Sequence, residues 1–151
     1  MNAVNTESLV DATISALERT AMVLAEPAAD TDGYGSVSRY ARVAYSGPSH
    51  GTLTLCANDQ FMCDLAASLL GVEPSEIDVD DQGVDALKEM ANILGGSVIV
   101  AISGESCDYS LGLPEILADA GTSAAEEATA SAKCVVTADD GLLQVLWTHA
   151  A

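Results

Sequence analysis

Residues 84–98 read VDALKEMANILGGSV, and the order of apolar and polar residues in this stretch decides how the chain folds. Apolar residues recur there with alternating steps of three and four, at Val84, Leu87, Ala91, Leu94 and Val98. This spacing is typical of one face of an α-helix, because 3.6 residues make a turn. The stretch therefore predicts an amphipathic helix whose apolar stripe lies against the core.

The polar side of this helix carries residues that a solvated surface seldom needs. Asp85, Glu89, Asn92 and Gly96 stand at i, i+4, i+7 and i+11, which keeps them together and away from the apolar stripe. An ordinary solvated face would also give this pattern. However, a mid-helix asparagine competes for backbone hydrogen bonds, and each glycine of the Gly95-Gly96 pair costs about 1 kcal/mol relative to alanine. Because Gly96 has no side chain, another protein could approach closely at that turn.

The N-terminal segment predicts another amphipathic helix. Asn5 or Thr6 can cap its first turn, because a side-chain oxygen there accepts a hydrogen bond from a free backbone N–H. The helical period continues to the neighbourhood of Pro27, where we expect the helix to end. Its predicted apolar stripe consists of Val10, Ile14, Leu17, Ala21 and Leu24.

A β-hairpin and a short helix are predicted to follow. After the loop AADTDGYG, residues 37–45 and the segment GTLTLC indicate two strands joined by the turn SGPSHG. Asn58 can cap the short helix, and Gly71 is placed to end it. The apolar face of this helix is predicted to carry Phe61, Leu65 and Leu69.

The rest of the chain lies on either side of the 84–98 helix. The acidic connector VEPSEIDVDDQG precedes it, and the segment SLGLP after it indicates a short strand that its proline stops. Residues 118–132, rich in Ala, Ser, Thr and Glu, fit a mobile loop or a weak helix, of which we favour the loop. KCVVT and LLQVLW, joined by ADDG, predict a second hairpin.

The two halves of the chain resemble each other. The stretch ALERTAMVLA of the N-terminal helix aligns with LKEMANILGG, so that Glu18 falls on Glu89 and Ala21 falls on Asn92. Each helix is later followed by a hairpin whose second strand begins with glycine, in GTLTL and GLLQV. A duplicated helix-strand-strand unit explains this pattern, although coincidence stays open for two divergent copies.

The length and net charge of the chain restrict its possible functions. A chain of 151 residues predicts a single compact domain spanning residues 1–151. With 23 acidic and five basic residues its net charge is -18, which argues against binding to nucleic acids or anionic membranes. The excess of acid favours solubility, with a dedicated cationic partner as the alternative.

The sequence offers few other signals of location or chemistry. The N-terminus lacks a basic and apolar signal segment, and no stretch approaches a membrane span, so we expect the cytoplasm. The four cysteines contain no CxxC pair and the two histidines stand apart, which argues against a zinc site and favours buried, reduced thiols. No Ser/His/Asp or Cys/His pairing, phosphate-binding P-loop or GxGxxG motif is present.

The segment KEMANILGG carries a family resemblance. Glu89, Asn92 and Gly96 form the pattern E-x-x-N-x-x-x-G, and the chain resembles the CheX/CheC/FliY phosphatases of bacterial chemotaxis. The N-terminal helix, the Gly51 strand, the helix ending LLG, the SLGLPEIL segment and the Gly141 strand follow in the family's order. The resemblance therefore covers most of the chain.

The resemblance implies a fold and a reaction. The fold is the CheC-like α+β fold, with long amphipathic helices packed on an antiparallel sheet. The activity is hydrolysis of the phospho-aspartate of a CheY-like receiver, with Asn92 orienting the attacking water and Glu89 engaging a receiver lysine. Asp85 and Gly96 complete the partner-binding face. The family holds its Mg²⁺ on the receiver, so we expect no cofactor or metal on this chain.

The resemblance also implies an assembly, and it leaves alternatives. Ala21 replaces the asparagine that two-site members carry in the first repeat, so the chain is closer to the single-site CheX type, which forms homodimers. A non-catalytic receiver-binding or flagellar-switch-like domain of the same fold is the main alternative. A small-molecule binding domain, in which the glycines only permit helix packing, is a further one.

Overall fold

The computed structural model of the chain describes residues 4–28, 37, 39–103, 108–117 and 130–150. The helices in these ranges are α1 (Thr6–Ala21), α2 (Asp59–Leu70) and α3 (Val84–Ser103). The strands are β1 (Glu26–Ala28), β2 (Arg39–Ser46), β3 (His50–Ala57), β4 (Ser110–Leu111), β5 (Glu115–Leu117), β6 (Ala132–Ala138) and β7 (Gly141–Ala150). The acidic connector before α3 contains a 3-10 turn, Pro74–Glu76, and a π-helical turn, Val79–Gly83.

The strands form one antiparallel sheet, so the predicted α+β fold is confirmed. Their order is β1-β6-β7-β3-β2-β4, and β5 also pairs with β2. Both predicted hairpins are present, as β2–β3 and β6–β7. All three helices pack against the sheet.

The sheet has an internal symmetry about its centre. The second strands of the two hairpins, β3 and β7, pair with each other, and β2 and β6 lie outside them. The short strand that follows α1 pairs with β6, whereas the short strands that follow α3 pair with β2. In the same way α1 packs on β6 and α3 on β2. This is the arrangement that two copies of a helix-strand-strand unit would produce.

Side-chain caps set the start of two helices where the sequence predicts them. The Oδ1 of Asn5 accepts a hydrogen bond from the backbone N–H of Ser8, at 2.8 Å. The Oδ1 of Asn58 accepts from Phe61 N–H at 2.9 Å and from Leu142 N–H at 3.0 Å, which ties the start of α2 to β7. Gly71, with φ at +72°, ends α2 in the left-handed conformation, as predicted.

The predicted end and apolar stripe of α1 are wrong in part. The helix ends at Ala21 instead of near Pro27, because Met22 takes the left-handed conformation and its N–H bonds back to the carbonyl of Glu18. Thr13 lies on the buried face, where its hydroxyl donates to the Leu9 carbonyl at 2.7 Å and so needs no water. The buried face consists of Leu9, Thr13, Ala16, Leu17 and Ala21. Two residues of the predicted stripe, Val10 and Ile14, are only half-buried, and Leu24 is 76% exposed.

Two strands were not predicted, and some predictions lie outside the described residues. β1 and β5 have three residues each and pair with strands far away in the sequence, so no local pattern marks them. The predicted strand in SLGLP is present as β4 and ends before Pro114. Residues 29–35 of the first predicted loop, residue 38 of the first predicted strand, residues 118–129 of the second loop and Cys107 fall outside the part of the chain that the structure describes.

Candidate functional site

Helix α3 carries the residues that the sequence singles out. It has 20 residues and is therefore about 30 Å long. Leu87, Ala91, Leu94 and Val98 are buried, as predicted, while Val84 at the start of the helix is only half-buried. The buried stripe fixes the rotation of α3, and the opposite side consequently faces away from the core.

That opposite side is open. Asp85, Glu89 and Asn92 are exposed, which confirms their predicted placement. Gly96 is partly exposed, and a Cβ added to it would have no atom of the described residues within 4 Å. The four positions therefore form one accessible strip along α3, which we call the α3 face.

The side chains of Asp85, Glu89 and Asn92 form no hydrogen bond or ion pair with the described residues. In the described part of the chain, the Asn92 side chain has no hydrogen-bond partner, and neither Asp85 nor Glu89 forms an ion pair. A structural asparagine would be buried and bonded within its own domain. Asn92 thus offers an amide donor and an amide acceptor to a partner, and Glu89 offers a carboxylate.

The two adjacent glycines of α3 have different surroundings. A Cβ on Gly95 would lie 3.0 Å from Val43 Cγ1 on β2 and 3.1 Å from Leu111 Cδ1 on β4. Gly95 therefore lets the helix lie close to the sheet, whereas a side chain at position 96 would extend away from the described residues. The sequence shows the pair but does not tell these two roles apart.

A groove runs beside the α3 face and was not predicted. It lies between α2 and α3, has a volume of about 280 Å³ and is lined by Ala66, Leu69, Leu70, Gln82, Asp85, Ala86 and Glu89. We call it the α2–α3 groove. Leu69, predicted to share the buried face of α2, is 37% exposed here. The sequence signal for this groove is the pair of adjacent leucines at the end of a short helix, because at least one of two adjacent helical residues must face away from the core.

The first half of the chain does not repeat this arrangement at the equivalent position. Glu18 of α1 is exposed like Glu89, but Ala21, which aligns with Asn92, is 3% exposed. α1 also ends at that residue, whereas α3 continues beyond Asn92 to Ser103. Of the described helices, α3 alone carries the glutamate and asparagine pair.

The three thiols that the structure describes are not placed for catalysis. Cys56 and Cys134 are buried, Cys63 is half-buried, and none of these three forms a disulfide bond within the described residues. Burial raises the pKa of Cys63, and it raises the pKa of Cys134 to about 11. Such groups are thiols at neutral pH, while the thiolate is the nucleophilic form. Across the described ranges, His, Cys, Asp and Glu side chains form no group of three that could hold a metal ion.

Comparisons with known proteins point to one family. The family model described as chemotaxis phosphatase CheX matches residues 39–138. A search of curated proteins finds no significant match. In the ranges that the structure describes, none of the helices has the length and apolar character needed to span a membrane.

Solved structures share the fold over the whole chain. A CheC-like superfamily protein from Shewanella sp. PV-4 superposes with a TM-score of 0.71 at 14% identity, covering 100% of both chains. The chemotaxis protein CheX from Vibrio vulnificus gives 0.70 at 13% identity, covering 98% of this chain and 97% of its own. A chain of the CheX–CheY–BeF3–Mg²⁺ complex from Borrelia burgdorferi gives 0.68 at 15% identity, covering 96% and 97%. At these identities the likeness establishes the fold.

Proposed function

The chain belongs to the chemotaxis phosphatase CheX family, and from this premise we propose that it accelerates hydrolysis of the phospho-aspartate of a CheY-like response regulator. One observation carries the proposal: Glu89 and Asn92 are exposed, adjacent on α3 and unengaged by the described fold. Gly96, one turn further along, leaves room for the receiver surface to approach.

Asn92 is assigned the alignment of the attacking water. A phospho-aspartate is an activated acyl phosphate, and catalysis of phosphoryl transfer depends mainly on positioning and charge stabilisation. The missing element is then a water molecule held in line with the phosphorus. An amide suits this task, because it can donate to and accept from water and does not titrate near neutral pH.

Glu89 and Asp85 are assigned to contacts with the receiver. Glu89 would accept a charge-assisted hydrogen bond from a receiver lysine, which also seats Asn92 at the phosphoryl group. The Mg²⁺ of the reaction belongs to the receiver in this proposal. The Borrelia burgdorferi complex, which contains CheX, CheY, BeF3 and Mg²⁺, supports that composition by family membership.

The assembly and setting form the remainder of the proposal. Residues 1–151 would form a single CheX-like domain that acts in the cytoplasm as a homodimer, with one site in each subunit. The buried Ala21 in the first half of the chain supports one site per subunit. Analytical ultracentrifugation at micromolar concentration tests the dimer, and a monomer over that range would contradict it.

A dephosphorylation assay tests the proposed reaction. Candidate receivers from the same cell are phosphorylated, and phosphate loss is followed with and without the protein. The proposal predicts faster loss for at least one receiver, which the Asn92→Ala variant does not give. Decay at the spontaneous rate for every receiver would reject catalysis and favour a receiver-binding or flagellar-switch-like role.

A further inference from the structure

Exposed apolar residues gather at the C-terminal end of α2. Leu69, Leu70 and Val72 are 37%, 58% and 41% exposed. They make up three of the seven large hydrophobic residues that are exposed in the described ranges. Isolated exposed leucines need no explanation, but a cluster next to a concave surface is typical of an interaction site.

Two members of this cluster, Leu69 and Leu70, line the α2–α3 groove. Its floor is formed by the small residues Ala66 and Ala86, which are almost fully buried. Leu69 and Leu70 line it from α2, while Asp85 and Glu89 line it from α3. A volume of about 280 Å³ is just below the roughly 300–1,000 Å³ of small-molecule sites. A groove of this volume between two helices has room for side chains of a protein partner.

Charge limits what can occupy the groove. The groove lining contains two carboxylates and neither lysine nor arginine. A second copy of this chain, with its net charge of -18, would bring a like-charged surface to that acidic rim. A partner with an apolar side chain next to a basic residue would instead match both the leucines and the carboxylates.

The groove is continuous with the α3 face. Asp85 and Glu89 belong to both, so a partner that covers Glu89 also meets the neighbouring groove. We propose that the α2–α3 groove is a docking site for the receiver, taking an apolar receiver side chain beside the cation that meets Glu89. This inference rests on the proposed function and adds the surface that sets affinity for the receiver.

Leu70→Gln tests the docking site. The substitution keeps helix propensity and removes apolar contact from a residue that is already 58% exposed, so folding should be unaffected. In the proposed complex the receiver covers the exposed part of Leu70, and the variant loses this apolar contact. We therefore expect the KM for phosphorylated receiver and the Kd for BeF3-activated receiver to rise about 5- to 15-fold. The kcat at saturating receiver should stay within about twofold, because the contact is equal in the ground and transition states.

Two further variants sharpen the test. Leu113→Gln changes a leucine that is 91% exposed and lies outside the groove, and it should leave KM and Kd as in wild type. Leu70→Met keeps apolar contact at similar volume and should also preserve them. Comparable losses in Leu70→Gln and Leu113→Gln would mean a general surface effect and would overturn the docking site.

The outcomes separate this inference from the proposed function. If wild type accelerates dephosphorylation but Leu70→Gln has unchanged KM and Kd, the groove proposal alone fails. If wild type neither binds nor dephosphorylates any receiver, both proposals fail. A Leu70→Gln variant with unchanged KM but a changed sedimentation coefficient would assign the groove to a second copy of the chain and overturn receiver docking.

Discussion

Replacing Asn92 with alanine should raise stability slightly while removing most of the activity. The side chain is exposed and has no hydrogen-bond partner among the described residues, so the fold loses no packing. Alanine also has the better helix propensity, by about 0.5 kcal/mol. We therefore expect the free energy of unfolding to stay the same or rise by a few tenths of a kcal/mol in urea denaturation.

The effect on catalysis should be far larger and of opposite sign. Removing one hydrogen-bonding group that acts in the transition state commonly costs on the order of 100-fold, or about 2.7 kcal/mol of barrier. Single-turnover decay of the phosphorylated receiver at saturating enzyme measures this step directly. The rate should approach spontaneous hydrolysis, while the Kd for BeF3-activated receiver should change by less than about threefold.

Glu89→Ala should behave differently from Asn92→Ala. A charge-assisted hydrogen bond to the receiver is lost, so the Kd should rise roughly 10-fold or more along with the fall in rate. Ser15→Ala is the matched control, because it also replaces an exposed polar helix residue with alanine, but on α1. It should leave both the rate and the Kd unchanged.

The reasoning has a clear point of failure. If Asn92→Ala dephosphorylates the receiver as fast as wild type, Asn92 does not align the water. A large loss of stability in the same variant would also contradict the structure, because it would reveal contacts that an exposed side chain should not make.

Four further predictions concern the glycines, the first half of the chain, pH and salt. Gly96→Ala should raise the free energy of unfolding by about 1 kcal/mol, and Gly95→Ala should raise it by less, because only the added Cβ of Gly95 would contact Val43, at 3.0 Å. A larger gain for Gly95→Ala would refute this. Gly96→Leu should fold but bind the receiver more weakly. Ala21→Asn should cost about 1–3 kcal/mol of stability, because it buries an amide at a position 3% exposed, and activity regained by adding it to Asn92→Ala would contradict the single site. Burial raises the pKa of the Cys134 thiol from 9.0 to about 11, so the unfolded chain loses this proton at lower pH than the folded chain, and the free energy of unfolding should fall as pH rises from about 9 to about 11. Urea denaturation at pH 8 and 10.5 should show a smaller fall in the Cys134→Ala variant than in wild type. An equal fall in wild type and variant would rule this out. If the receiver is also acidic, added salt should speed association with this chain of net charge -18, and a rate that fell over a salt series would reject the idea.

Much of the candidate site could be predicted because its pattern is local. The spacing of Leu87, Ala91 and Leu94 sets the buried side of α3, and it thereby exposes Glu89 and Asn92. Helix caps are local as well, since a side chain bonds a backbone N–H only a few residues away. The caps at Asn5 and Asn58 were found for this reason.

The pattern of apolar residues gave a partly wrong prediction for α1, where hydrogen bonds to backbone carbonyls set the buried face and the end of the helix. The α1 stripe was predicted from apolar residues alone, but Thr13 can be buried because it bonds the Leu9 carbonyl. The left-handed residue that ends α1 is Met22, a residue type that does not signal this conformation. Both corrections come from backbone carbonyl groups, whose hydrogen bonds a residue pattern does not show.

The sequence by itself determined the three helices and the two hairpins, the buried faces of α2 and α3 in large part, and the order of polar groups along α3. Only the tertiary structure decided which neighbours each face meets. It placed Gly95 against β2 and β4, left Gly96 open, and brought the end of α2 beside Glu89 to form a groove. The physical reason is that helical and strand periods act over a few residues, whereas the packing of α2, α3 and the sheet joins residues that the sequence keeps far apart.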